Sequence, residues 1–450
     1  MRPTATTALL DPADKKLHQW LWQPKLMYAL NSSQGSAVNN FLTVYYQQTA
    51  GFSKVQIGVL QTLPSLCTIV GPPLWGAVAD FIGDQRLIHN MSIVAGALLL
   101  FSIQFFSWSY ELTMLVLVLA NFQIAPASSL LDHAVLDLLE KVGGEYGRQR
   151  LFSAVGWGIG AYVTSLAVAA AGISWAFNIS LMFAFMGLLV LRSLPPVDLS
   201  GGYNPSFDYS NEASSPPSFT SNMRLISQKK DVVVLLVVVL LIGSMHGVIS
   251  SFLTLNLFNL SGGDAQIVGI AIMCETSSEL PAFFYSQAII QKLGTVKVLL
   301  VSITAYSVRF AWYASMTNAW SAIPFEFLHG VSFGLMWSAC TQYIYSAAPK
   351  GTEGTLMGVL NATQNGLARA VGTLIGGFFY ESYDARTMWV ATGLVAPVAV
   401  IGVVVFAHLK QKNETVEEEQ HLLEQAALFS PYSGNPQVIV GVEPSFEAAH

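Results

Sequence analysis

The chain has 450 residues, 53% of them hydrophobic and 11% charged, with a mean hydropathy of +0.50. Soluble domains carry about 25% charged residues, so most of this chain avoids water and an ordinary soluble enzyme is excluded. The net charge is -6, but Glu414, Glu417, Glu418, Glu419 and Glu424 all follow the last apolar stretch, and no nucleic-acid partner is expected. Cys67, Cys274 and Cys340 are scattered through apolar runs, without ligand spacing or a disulfide framework. They read as small buried hydrophobes, and neither a metal nor a cofactor is expected.

Residues 1–24 form a polar tail with no apolar core of a signal peptide. A bilayer-spanning helix needs about 20 mostly apolar residues. Six such stretches follow at 25–48, 55–80, 87–107, 111–138, 149–170 and 173–193. Residues 194–229 are rich in Ser, Pro, Gly and Asn and read as a linker. Six more stretches run at 231–260, 265–291, 296–316, 319–346, 354–380 and 387–409. An acidic tail, 411–450, closes the chain. The expected architecture is an all-α membrane protein of twelve transmembrane helices in two bundles, 25–193 and 230–410.

Charge sets the orientation. With the N-terminus in the cytosol, 17 of the 21 Lys and Arg residues fall on the cytosolic side and only Lys54 and Arg386 outside. Both termini are therefore expected in the cytosol. The halves also echo each other at a shift of about 210 residues. Gln56-Ile57 opens the second span and Gln266-Ile267 the eighth, Gly156 falls opposite Gly366, and Gly83 opposite Gly294.

Several polar residues sit where lipid would reject them. Asn121, Ala125, Ser128 and Asp132 make one stripe on the fourth span. An ionised Asp there costs about 2.5–3.5 kcal/mol unless it pairs or meets water. The eighth span holds Glu275 and Glu279, the ninth Arg309, and the tenth Glu326 and His329, three apart on one face. Tyr28, Asn31 and Gln34 form a stripe in the first span, Asn361, Asn365 and Arg369 in the eleventh, and His246 and Ser250 in the seventh. These can bind a hydroxylated solute or join helix to helix. His329 has no second His or Cys at ligand spacing.

Three blocks resemble a known family. Gly76, Asp80, Gly83 and Arg86, after the second span, resemble the cytosolic gating loop of the major facilitator superfamily, with Phe81, Asp84 and Gln85 where basic residues are usual. Glu145-Tyr146-Gly147-Arg148-Gln149-Arg150-Leu151-Phe152, with Gly156-Trp157, resembles the opening of helix five in the lactose permease group and its MFS-1-like relatives. Ser307-Val308-Arg309 and Leu328-His329 resemble helices nine and ten of that group.

The resemblance implies a major facilitator fold. It also implies sugar contacts by Arg150 and Trp157, with Asp132, or Asp137 in another register, as the acid paired to Arg150. Glu275 or Glu279, together with Arg309 and His329, would couple the solute to a proton. One departure matters. The group carries a Glu three residues after the His, where this chain has Ser332, and a basic residue three before it, where this chain has Glu326. Coupling that is rewired through Glu326 is one reading, and a static network of Glu279, Arg309 and Glu326 is the other.

The expectation is a proton-coupled secondary transporter of a small polar solute of the sugar or nucleoside type, acting as a monomer in the bilayer. The alternative is a non-transporting receptor or scaffold on the same fold. Glu418-Glu419-Gln420-His421-Leu422-Leu423 resembles an endosomal or lysosomal sorting signal, so the plasma membrane and an endolysosomal or vacuolar membrane are both candidate locations.

Overall fold

A computed structural model describes residues 22–82, 85–142, 146–193, 227–348 and 352–428. The described residues trace helical rods in the expected order. The first six are α1 (Trp22–Gln48), α2 (Lys54–Ile82), α3 (Gln85–Phe106), α4 (Tyr110–Val142), α5 (Tyr146–Ala171) and α6 (Trp175–Ser193). Then come α7 (Lys230–Leu260), α8 (Ala265–Leu293) and α9 (Thr295–Ser315). The tenth rod, α10, joins a 3-10 turn at Ala319–Ala322, a helical turn at Ile323–Glu326, a π-helical stretch at Gly330–Leu335 and a helix at Met336–Ala347. The eleventh, α11, joins Glu353–Asn361, a π-helical stretch at Ala362–Ala368 and Arg369–Ser382. The last, α12, joins Ala385–Gly393 and Val395–Leu428.

Among the described residues, nine helices are long and apolar enough to cross a membrane, namely α2 to α9 and α12. The other three fall short for visible reasons. The polar stripe of α1 lowers its hydropathy, and π-helical stretches interrupt α10 and α11. Lipid leaves no water for stray N–H and C=O groups, so helix is the only open-ended solution for such segments.

The helix ends follow from local chemistry. At the start of α2 the Ser53 N–H donates to Gln56 Oε1 at 3.0 Å and the Gln56 N–H to Ser53 Oγ at 3.2 Å, a reciprocal cap. Asp264 caps α8 through the Gln266 N–H at 2.9 Å. Asp384 caps α12 through the Thr387 N–H at 2.7 Å, and these hydrogen bonds hold its carboxyl below the usual range. Gly294, at φ 79, turns α8 into α9. Large apolar side chains such as Leu98, Phe185, Phe378 and Val404 are exposed along α3, α6, α11 and α12, the expected lipid face.

Small residues set the interior packing. A Cβ on Gly160 would lie 2.6 Å from Ser33 Cα, so α5 presses on the α1 backbone. A Cβ on Gly372 would likewise strike the backbone of Ser244, pressing α11 on α7. The repeat is therefore carried by Gly160 and Gly372. The pairing of Gly156 with Gly366 is corrected, because Gly156 meets Ala29 of α1 whereas Gly366 meets Ile69 of α2, a contact between halves. Gly83 lies outside the described residues.

The two halves touch through α2 against α11 and α5 against α8. Thr62 Oγ joins Ala370 O at 3.4 Å, and Gly158 faces Thr276. At the loop side, Asn259 Nδ2 donates to Gln47 Oε1 at 2.9 Å and the Lys54 N–H to Glu381 Oε2 at 2.7 Å. One apolar core, including Phe41, Ile57, Phe252 and Ile267, runs through both halves.

Candidate functional site

Two polar clusters occupy the bundle, one in each half. In the first, Tyr28 of α1 donates from its hydroxyl to Asp132 Oδ1 of α4 at 2.6 Å. Arg150 Nη1 of α5 lies 3.3 Å from Asp132 Oδ2 and donates to Tyr146 Oη at 2.8 Å. Asn31 Nδ2 reaches Ser128 Oγ at 3.4 Å. The spacing of Tyr28 and Asn31 on α1, and of Ser128 and Asp132 on α4, places four polar groups along one seam. The Asp132–Arg150 pair is accessible, with 22% of the Asp132 and 58% of the Arg150 side chain exposed.

The remaining first-half residues spread around this pair. Trp157 is half-buried on α5, its ring 3.6 Å from where a Cβ on Gly35 would stand, and its carbonyl accepts from Ser36 Oγ at 2.6 Å. Gln34 is buried on α1, and its carbonyl accepts from Ser180 Oγ of α6 at 3.0 Å. In the second half, Asn361 is exposed and accepts from Asn365 Nδ2 at 2.6 Å. Of the gating motif, Gly83 and the side chains of Asp80 and Arg86 lie outside the described residues, as does that of the fallback acid Asp137. Gly76 sits within α2.

The second cluster is more enclosed, with 13% of the Glu275 and 17% of the Glu279 side chain exposed. Arg309 of α9 is fully buried, and each of its nitrogens has a partner. Nε donates to Tyr313 Oη at 2.8 Å, and Nη2 to Glu275 Oε1 at 2.8 Å and Glu326 Oε2 at 2.6 Å. Nη1 lies 3.1 Å from His329 Nδ1 and donates to Ser332 Oγ at 3.3 Å. Tyr313 in turn donates to Glu326 Oε1 at 2.7 Å.

The His329 roles follow from donor counting. A guanidinium only donates, so a neutral His329 accepts from Arg309 at Nδ1. Its proton is then on Nε2, which points at Glu279 Oε1, 3.3 Å away. Among the acids of α8, Glu275 meets Arg309 at 2.8 Å and also lies 3.5 Å from His329 Nδ1, while Glu279 lies 3.3 Å from His329 Nε2.

The break in α10 falls at the residues that face Arg309. Regular helix stops at Glu326 and a π-helical stretch begins at Gly330. Glu326, His329 and Ser332 all end on the Arg309 guanidinium. The acid stands three residues before the histidine instead of three after it, yet meets the same cation. π-Helical stretches concentrate at functional sites, and the second one ends beside Arg369. Tyr313 and Tyr146 were not singled out by sequence reasoning. Tyr313 lies four residues after Arg309, and Tyr146 four before Arg150, the spacing that puts side chains on one helix face. That periodicity is the signal that would have found them.

No group of three or more His, Cys, Asp or Glu side chains suited to a metal occurs among the described residues.

Comparison with known proteins places this geometry. The MFS_1 like family model matches residues 21–391. The maltose permease of Geobacillus stearothermophilus is 26% identical over 401 residues, covering 88% of this chain and 96% of that protein. A probable 3-phenylpropionic acid transporter of Escherichia coli is 24% identical over 72% of this chain and 84% of its own length. A crystal structure of a mutant of the nucleoside transporter NupG superposes with a TM-score of 0.76 at 17% identity, covering 86% of this chain and 99% of that one. The match to the family model spans most of the chain, its relatives are transporters, and its fold is theirs; the chain belongs to the MFS_1-like family of major facilitator membrane proteins.

Proposed function

We propose that this protein is a proton-coupled secondary transporter of a small hydroxylated solute of the sugar or nucleoside type, working by alternating access. Residues 25–193 and 230–410 form the two moving halves, 194–229 the linker, and both termini face the cytosol. The protein acts as a monomer in the plasma membrane or an endolysosomal or vacuolar membrane.

The observation that carries this reading is the charge count around Arg309. Three carboxylates, Glu275, Glu279 and Glu326, share one permanent cation and one histidine. In a buried setting such a set holds protons as a group, and small changes in spacing alter how many it holds. Its members come from α8, α9 and α10, so relative motion of these helices changes the distances that decide protonation. Glu326 supplies the acid, with Tyr313 as its second partner.

The first-half cluster supports solute binding. Asp132 and Arg150 offer an acceptor and a donor to a diol, and both are accessible. Tyr28 and Asn31 extend the row, and Trp157 supplies a flat apolar face for a sugar ring or a base. Trp157 stands next to Gly158, which packs on Thr276, the neighbour of Glu275. Solute seated at α5 therefore abuts the helix that carries the proton site. Asn361 and Asn365 contribute from α11, and Gly76, Asp80, Gly83 and Arg86 serve as the cytosolic gate.

The solutes for which these relatives are named include maltose, 3-phenylpropionic acid and nucleosides, which keeps the solute class at polar and small. The test is reconstitution in liposomes holding a pH-sensitive dye, with sugars and nucleosides added outside. Solute-driven proton entry that vanishes in Asp132→Asn is the expected result. Solute uptake with no proton movement would remove the coupling, and silence in both assays would favour a receptor.

A further inference from the structure

Two arginines lie within the described helical rods, Arg309 fully buried and Arg369 partly buried with an enclosed Nε, and their surroundings are opposite. Arg309 has a partner for every nitrogen, including two carboxylates. The Arg369 side chain makes no hydrogen bond or ion pair with any described residue, and its Nε is enclosed without a partner. A guanidinium stays charged in proteins. Charges inside a span pair with one another or with backbone carbonyls, or line a solute path.

Arg369 cannot escape to the membrane surface. It sits near the middle of α11, about 20 Å of helix from either end. Leu367, Val371, Leu374 and Phe378 form the exposed apolar face of this helix. Arg369 is two residues from both Leu367 and Val371, so it falls near the opposite side, toward the bundle.

The helices packed on it offer no counter-ion. These are α2, α7 and the Ala385–Gly393 part of α12. The acid of α7 is Asp231, 16 residues before the Gly247 that touches the Arg369 backbone, or about 24 Å along the helix. The acid of α2 is Asp80, far along that helix from Thr62, which bonds to Ala370 O. Residues 385–393 contain no acid, and on α11 itself Glu353 and Glu381 stand at the ends.

Its position abuts the coupling cluster. Gly247 adjoins His246, whose ring stacks on Phe333 at 4.6 Å, and Phe333 stacks on His329 at 5.4 Å. Asn365, one helical turn before Arg369, faces Asn361.

We infer that Arg369 binds an anionic group of the transported solute, so that the solute is a sugar acid or sugar phosphate and not a neutral sugar. This rests on the transporter reading above. A carboxylate or phosphate meets a guanidinium through two parallel hydrogen bonds, and a buried donor left unmatched discriminates against the ligand that lacks the acceptor. The hydroxyls of such a solute fall to the first-half cluster, and its charge supplies the counter-ion that α2, α7 and the Ala385–Gly393 part of α12 do not place at the level of Arg369.

The test uses the full chain in detergent and three probes, galactose, galacturonate and galactose 1-phosphate, titrated against tryptophan fluorescence. One acidic probe is expected to bind at least ~10-fold tighter than galactose, a gap falling below ~2-fold in Arg369→Gln while galactose affinity holds. Which acid wins separates carboxylate from phosphate. Arg369→Lys should keep part of the gap. Arg369→Gln should also leave the unfolding temperature unchanged or raised, because it removes an unpaired charge; a marked fall would reveal a structural partner and overturn the inference. Equal affinity for all three probes, abolished by Asp132→Asn, overturns the anion site and leaves the transporter reading standing. No binding of any probe by the wild-type chain overturns the sugar reading and the anion site together.

Discussion

The first-half and second-half clusters use the same residue types to opposite ends. Asp132 and Arg150 form an open pair, flanked by tyrosines and exposed enough to exchange partners with a solute. Arg309 and its acids form a more enclosed set, with 0% exposure at Arg309 and Glu326 and 13% at Glu275. An exposed pair is worth at most about 1 kcal/mol, so a ligand can replace it at little cost. Removing one member of the more enclosed set strands a buried charge. The two clusters therefore differ in exposure and in the number of partners around each charge.

The largest effect should come from removing the hub. Arg309→Met leaves Glu275 and Glu326 buried together, at a cost of about 3–5 kcal/mol, visible as a large fall in the unfolding temperature. Adding Glu326→Gln should recover part of it, since one stranded charge disappears. A stable single mutant would mean that the acids are already protonated and the cluster is not ionic.

Backbone packing should come second and treat the halves alike. Gly160→Val drives a side chain into the α1 backbone at Ser33, and Gly372→Val does the same to α7 at Ser244. Each should lose about 1–3 kcal/mol by thermal unfolding. A large difference between the two would break the structural repeat.

The smallest change in stability belongs to the open pair. Asp132→Asn should shift unfolding by no more than about 1 kcal/mol, while solute binding is lost. Normal binding in this variant would remove the first-half site; strong destabilisation would make the pair structural and erase the contrast between halves.

The span limits were legible because lipid imposes length and apolarity on each segment separately. The expected 25–48, 231–260 and 296–316 lie close to Trp22–Gln48, Lys230–Leu260 and Thr295–Ser315. The last span, expected at 387–409, lies within the apolar stretch Ala385–Asn413, and helix continues beyond it to Leu428 through the acidic residues around Glu418. Glutamate favours helix as readily as leucine does, and hydropathy alone cannot see that. The sorting motif falls in this extension, its side chains outside the described residues.

The sequence by itself determined that the chain is helical, that it belongs in a membrane and which charges lie inside the spans. Each follows from counting residues within one segment. Tertiary structure decided the partnerships, that Glu275 meets both Arg309 and His329 while Glu279 meets His329, that Tyr313 and Ser332 complete the cluster, and that the Arg369 side chain pairs with no acid among the described residues. Those outcomes depend on helix rotation, on the interrupted α10 and on glycine-mediated contacts between rods. No single segment encodes them, because a side chain's partner lies on a neighbouring helix whose approach is set by the whole bundle.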